Sequence, residues 1–190
     1  MVLGHSQPRS YSQIRTKHAM PAIQPHFAIF VRRATNSDAP EILACLEAAF
    51  VPYRDYYSAA AYLDTVLTHE TVQDRLVHMQ VFVAESYSGQ IVGTIACQVM
   101  SHGEGHLRGM AVLPTCQGAG IAAQLLAHAE AELRRQNCVR ITLDTTAPLE
   151  RAMRFYEKFG YCRSDKISDF FGMPLFEYQK PLVPRDSSRA

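Results

Sequence analysis

Apolar and polar residues in this chain recur with two periods. Alternation near two marks half-buried strands, and recurrence at three and four marks helices. Residues 27–33, rich in Phe, Ile and Val, predict a first strand. Ser37 or Asp38 then caps a helix with Pro40 and Glu41 in its first turn and an apolar stripe at Ile42, Leu43, Leu46 and Phe50. An aromatic, polar connector follows at 52–57, and a second helical region spans 59–78 with a break near His69. Residues 81–86 and 90–100 predict a hairpin turning at Ser88-Gly89.

The stretch 106–122 changes period in its middle. Leu107 to Val112 reads as a strand, Pro114 ends its ladder, and Gly118 and Gly120 form a loop. From Ile121 the apolar positions Ala122, Leu125, Leu126, Ala129 and Leu133 have helical spacing, and Arg134 and Arg135 suit the helix end. A glycine loop opening a helix exposes free N–H groups to an anion, so the construction suits a phosphate. It is not a nucleotide fingerprint. Gly118 and Gly120 lack the third glycine of G-x-G-x-x-G, and no lysine follows as in a P-loop. Residues 140–145 predict a fifth strand. Thr146, Pro148 and Glu150 open another helix, with Leu149, Ala152, Met153, Tyr156 and Phe159 inward and Gly160 at its end. Two closing strands are expected at 161–167 and 175–180. The order of elements is mixed α+β.

Composition narrows the class. With 190 residues, 47 % hydrophobic and 19 % charged, the chain suits one globular domain, expected over 27–182. A net charge of +1 gives no bulk electrostatic reason to expect nucleic acid or an anionic membrane as partner. No apolar run approaches the roughly 20 residues needed to span a bilayer. Five cysteines without a C-x-x-C pair fit reduced thiols and a cytoplasmic protein. Cys116 abuts the glycine loop and reads either as a reactive thiol or as a small buried side chain. Residues 1–26 carry Arg9, Arg15 and Lys17 and no acid. They read as a presequence, a disordered tail or an overlong start with Met20 as alternative initiator, the disordered extension being favoured. Residues 183–190 read as a tail.

Gln117, Gly120 and Ala122 form Q-x-x-G-x-A after a strand ending Met110-Ala111-Val112. They are followed at a distance by Ala152-Met-Arg-Phe155-Tyr156-Glu-Lys-Phe-Gly160-Tyr161. This pairing resembles the GNAT superfamily of acyl-CoA-dependent N-acyltransferases. The resemblance implies a central, mostly antiparallel twisted sheet of about seven strands, flanked by helices and splayed between strands four and five.

It also implies acetyl-CoA as co-substrate, no metal, and a small-molecule or protein amine as acceptor. The amine would attack the thioester directly in a ternary complex; homodimers are common in the family. The pantetheine arm would lie in the splay like an extra strand, bonded at Met110 and Val112, with Ala111 between them. The pyrophosphate would rest on N–H groups of Gln117, Gly118, Ala119, Gly120, Ile121 and Ala122.

Tyr156 stands where the family places the acid that protonates the leaving thiolate, though its ring also suits a core. His106 stands where some members carry a catalytic base; Glu104, Glu85 or a water chain are alternatives, as is a structural role. Tyr53, Tyr56 and Tyr57 lie in the connector that overhangs the acceptor site in this fold, as substrate contacts or as packing. Leu149 departs from the asparagine often found there, and Thr145 or Thr146 could replace its contact. A non-catalytic acyl-CoA-binding domain of the same fold is the alternative reading; Tyr156 favours the enzyme.

Overall fold

A computed structural model of the chain describes residues 29–182. The expectations for 1–26, for the start of the first strand at 27–28 and for the tail at 183–190 lie outside the described residues.

The strands are β1 (Ile29–Arg33), β2 (Gln80–Ser86), β3 (Ile91–Val99), β4 (Glu104–Val112), β5 (Arg140–Thr146), β6 (Cys162–Phe170) and β7 (Met173–Pro181). The helices are α1 (Ala39–Phe50), α2 (Ala59–Val66), α3 (His69–His78), α4 (Ile121–Arg135) and α5 (Glu150–Lys158). The seven strands form one sheet in the order β1-β2-β3-β4-β5-β7-β6. Every neighbouring pair is antiparallel except β4 and β5, which run parallel. That pair comes apart early. It is in register only from Glu104 opposite Arg140 to Leu107 opposite Leu143, so Arg108–Val112 and Asp144–Thr146 diverge. The splay expected between strands four and five is present.

Strand alternation divides the core between the two sheet faces. Ile95, Cys97, Leu107, Ile141 and Leu143 meet the apolar stripe of α4 and Tyr156 of α5 on one face. Val83, Ala96 and Ala111 meet Ile42, Leu46 and Val72 of α1 and α3 on the other. Midway along β4 two residues, Gly109 and Met110, fall opposite the single residue Ile95 of β3, a bulge in which Gly109 takes φ +64°. The bulge resets the alternation, so Met110 and Val112 both turn to the α4 face.

Some details depart from the sequence-based expectation. α5 begins at Glu150 with Leu149 outside it, and Tyr156 is its only fully buried residue. The α4 face also buries Glu130, an unexpected acid in a core. Tyr161 Oη donates to Glu130 Oε1 at 3.0 Å and Lys180 Nζ at 2.7 Å, while Arg134 pairs with Oε2, so the carboxylate is fully partnered. The closing strands are longer than expected, and the apolar segment 170–176 is the tip of their hairpin, turning at Phe171-Gly172. All five cysteines are free, with only Cys162 exposed.

Candidate active site

The divergence of β4 and β5 opens a cleft of about 770 Å³ that passes through the sheet. On the α4 face it is walled by the glycine loop and by Phe155 and Tyr156 of α5; on the α1 face it is walled by Phe50, Tyr53 and Tyr57, by Asp64 and Arg75, and by His106. A ligand entering from either face meets the other in the gap.

The glycine loop is built to receive an anion. Gly120 caps α4 with φ +79° and provides no side-chain cap, which leaves the first-turn N–H groups of a 15-residue helix free. A Cβ on Gly118 or Gly120 would meet nothing within 4 Å, so the space over both is open. The loop is held from behind by Gln117, whose Nε2 donates to the Val112 carbonyl at 3.2 Å and whose Oε1 accepts from Arg151 at 2.7 Å. The side chain of the motif's glutamine therefore braces loop against strand. Gly118, Gly120, Ile121 and Ala122 line the cleft, whereas Ala119 is exposed outside its lining. Met110, Ala111 and Val112 line it from β4.

Thr145 supplies a second sign that the gap is made for a polar guest. It shares the α4-side face of β5 with Ile141 and Leu143, lines the cleft, and has a buried Oγ1 with no hydrogen-bond partner among the described residues. A buried hydroxyl left unpaired is costly, and a ligand amide or carbonyl would satisfy it. These features, an open cradle at a helix start and an orphan hydroxyl in a strand gap, fit a phosphate-bearing molecule with an extended amide arm.

Tyr156 is buried on the cleft wall with its hydroxyl 3.7 Å from Met110 Sδ, a weak acceptor. Burial pushes the phenol well above its ordinary value, so it stays protonated and able to donate. Its ring stacks edge-on with Phe155 and Tyr161, which fixes its direction.

His106 lies on the α1 face, four residues before Met110. Its Nδ1 is 3.0 Å from Thr142 Oγ1 and its Nε2 is 3.7 Å from Asp144 Oδ2. Burial lowers the imidazole's pKa and raises that of Asp144; at both groups this outweighs their mutual attraction. The imidazole is therefore neutral near pH 7. The other carboxylates considered as bases are engaged elsewhere. Glu85 accepts from Arg32 at 2.5 Å and Glu104 is paired with Arg140, and neither lines the cleft.

The tyrosine connector divides. It forms a 3-10 turn (Val51–Tyr56) that ends when Tyr57 becomes extended. That switch returns the Tyr57 ring to the cleft, where its Oη is 2.5 Å from Thr146 Oγ1 and its edge meets Phe50. Tyr53 also lines the cleft. Tyr56 does not: left on the outer side of the turn, it is 67 % exposed and stands outside the cleft lining that Tyr53 and Tyr57 join. The connector is tied to the far hairpin as well, since Ser58 Oγ donates to the Phe171 carbonyl at 2.9 Å and its N–H points to Met173 Sδ. Together these contacts roof the α1 side of the cleft.

Four charged residues that line the α1 side of the cleft were not foreseen: Asp64, Arg75, Arg108 and Asp144. Asp144 was readable by alternation, two residues after Thr142 on the His106 face. Arg75 had a fainter signal, three residues after the buried Val72 on α3. Asp64 and Arg108, an ion pair at 2.9 Å, had none.

Comparison with known proteins gives the arrangement relatives. The model of the acetyltransferase (GNAT) family matches residues 40–161. The N-alpha-acetyltransferase MAK3 of Arabidopsis thaliana is 27 % identical over 112 residues, 54 % of this chain and 59 % of that protein. The chain thus spans about three fifths of the length of the first curated relatives it matches. The aminoalkylphosphonate N-acetyltransferase of Salmonella typhimurium is 28 % identical over 145 residues, 70 % of this chain and 85 % of that one. Among solved structures, PaiA N-acetyltransferase of Thermoplasma acidophilum, in complex with coenzyme A, superposes with a TM-score of 0.67 at 17 % identity, covering 82 % of this chain and 99 % of the other. At that identity the likeness is one of fold.

Proposed function

Because the chain belongs to the GNAT family of acetyltransferases, we propose that it moves an acetyl group from acetyl-CoA to a primary amine, by direct attack with both substrates bound. The observation that carries this reading is the cleft through the sheet. Its α4 side offers an anion cradle and the unpaired Thr145 hydroxyl, its α1 side offers a roofed polar chamber, and Tyr156 stands at the gap between them.

In this reading the loop residues Gln117 to Ala122 hold the pyrophosphate by backbone N–H groups. The free backbone edge of Met110 and Val112, with Thr145 Oγ1 opposite, holds the pantetheine amides and takes over the contact that Leu149 lacks. The N–H of Met110 stabilises the oxyanion as the amine adds to the thioester carbonyl. Tyr156 Oη gives its proton to the departing thiolate, and its only partner among the described residues is a thioether that is easily exchanged. His106, neutral near pH 7, accepts the proton that the attacking amine loses, directly or through water. Holding both reactants in one gap supplies most of the remaining acceleration.

The names of two relatives, an N-alpha-acetyltransferase and an aminoalkylphosphonate N-acetyltransferase, support an amine as acceptor, and a primary amine is the acceptor class proposed here. Among the described residues no helix is long and apolar enough to cross a membrane.

The test is an acetyl-CoA consumption screen over amine classes with the full chain, free CoA being titrated by calorimetry alongside. Turnover of some amine that is lost in Tyr156→Phe supports the reading. Tight CoA binding without turnover of any amine would favour the non-catalytic domain instead.

A further inference from the structure

The α1 side of the cleft, the proposed acceptor side, holds a cation that has no partner among the described residues. Arg75 of α3 is 8 % exposed, yet its guanidinium reaches the cleft. Among the described residues it makes no side-chain hydrogen bond and no ion pair. The acid that acts on it, Asp64, is taken by Arg108 at 2.9 Å. Two guanidinium groups and one carboxylate thus face one another, and a positive charge is left over. Burial first, then Arg108, brings the Arg75 pKa down to about 10, so it remains charged at neutral pH.

The backbone leaves room for this side chain. A Cβ on Gly109 would lie 2.2 Å from Arg75 Nη1, so a side chain there would push the end of the arginine aside, and the φ of +64° itself favours glycine. The β4 bulge places the guanidinium beside Met110, at the head of the gap. A buried, hydrogen-bond-hungry cation is expensive to keep unless something anionic completes it. Its planar fork matches a carboxylate or a phosphonate through two parallel N–H···O bonds.

We propose that Arg75 binds the anionic group, carboxylate or phosphonate, of a small acceptor amine, so that the acceptor is a zwitterion held by its anion while its amine faces the gap. This assignment rests on the acyl-transfer reading for its context, but its site can be measured without turnover. Arg75 is here a substrate-binding residue that sets selectivity; it takes no part in proton transfer.

The experiment compares 3-aminopropanoate, 3-aminopropylphosphonate and propylamine on the wild type, Arg75→Met and Arg75→Lys. For the wild type, kcat/KM should favour the two anionic amines. Arg75→Met should lower kcat/KM for them by roughly 10- to 100-fold, the worth of a charge-assisted contact, chiefly through KM. Propylamine should change by less than about threefold on the same scale. Arg75→Lys should restore part of the preference. A merely structural arginine would lower all three substrates together, and that result overturns the proposal. Preference of the wild type for propylamine overturns it as well. Calorimetry of the same amines on CoA-loaded wild type keeps the question open to refutation if Arg75→Met does not fold. If the anionic amines bind and propylamine does not, while nothing is acetylated, the site stands and the transfer reading falls. If propylamine is acetylated and the anions neither bind nor react, the transfer reading stands and the site falls.

Discussion

Leu107 and Leu143 are the last residues through which β4 and β5 stay paired. Both are buried on the α4 face, so the sheet is sealed by apolar packing up to that rung and open immediately beyond it. Everything assigned to the site hangs on this one point of departure: Met110 and Val112 lie on one lip, Asp144, Thr145 and Thr146 on the other, and Tyr156 across from Met110.

Tyr156→Phe separates packing from chemistry. The ring contacts with Phe155 and Tyr161 survive, and the hydroxyl loses only a thioether partner, so stability should fall by less than about 1 kcal/mol. CoA affinity should hold. kcat and kcat/KM should fall together by about 10² or more if the phenol assists the leaving thiolate. Unchanged kcat where chemistry limits the rate would make Tyr156 a core residue alone.

Gly120→Val should weaken CoA binding severely. The position has open space in the free protein, which the proposed pyrophosphate would fill, and its φ of +79° disfavours a β-branched residue. Calorimetry on a variant with native circular dichroism is the check. Full affinity there means the phosphate lies elsewhere.

His106 sets an acidic limit. Burial depresses its pKa, so the folded protein binds fewer protons there than the unfolded chain does below about 6.5, the ordinary imidazole value. This residue's contribution to stability should therefore be complete above that pH and shrink as pH falls through the lowered pKa. If His106 is the base, the acidic limb of kcat/KM should also lie below about 6.5. His106→Gln should remove that limb and lower the rate. A limb that persists in the variant belongs to another group.

Asp38 is the stability counterpart at the other end of the sheet. Arg32 donates to both its oxygens, at 2.7 and 2.8 Å, and with Thr35 holds its pKa down to about 2. A depressed carboxylate stabilises fully above its unfolded value, about 4, and loses that stabilisation as pH falls towards the folded one. Asp38→Asn should flatten the acid side of a Tm-against-pH curve between those values while leaving CoA binding intact. An unaltered acid slope would place the relevant titration elsewhere.

In the roof, Tyr57→Phe should raise the amine KM and spare CoA affinity, because the lost bond to Thr146 Oγ1 anchors only the acceptor side. Tyr56→Phe should change neither, given its exposure. An equal rise in KM for both would restore Tyr56 to the site.

The half of the cleft proposed for the cofactor was legible in the sequence as a local construction. A strand, a proline, two glycines and a helical stripe lie within 28 residues of one another and need no partner to be read. The splay was foreseen only through the resemblance to a family, since no pattern within β4 or β5 announces where their pairing stops. The acceptor half is made of distant pieces. Tyr57 and Thr146 are 89 residues apart. The three tyrosines of the connector look alike in sequence, and only the change from 3-10 to extended backbone at Tyr57 decides which ring turns in. Arg75 sits in a polar helix where an arginine usually means solvent, and Glu130 sits on an apolar stripe because Arg134 of its own helix and two partners from elsewhere in the fold, Tyr161 and Lys180, complete it.

Gly109 and Arg75 also constrain each other as the protein evolves. A side chain at 109 collides with the guanidinium, and φ +64° further restricts what that position accepts. Of the two limits the backbone is the stricter, since a guanidinium end can swing aside whereas few residues besides glycine and asparagine tolerate that φ. Loss of the arginine therefore removes only the lesser obstacle at 109. Descendants that abandon this cation should be found with glycine still in place long after the arginine has gone.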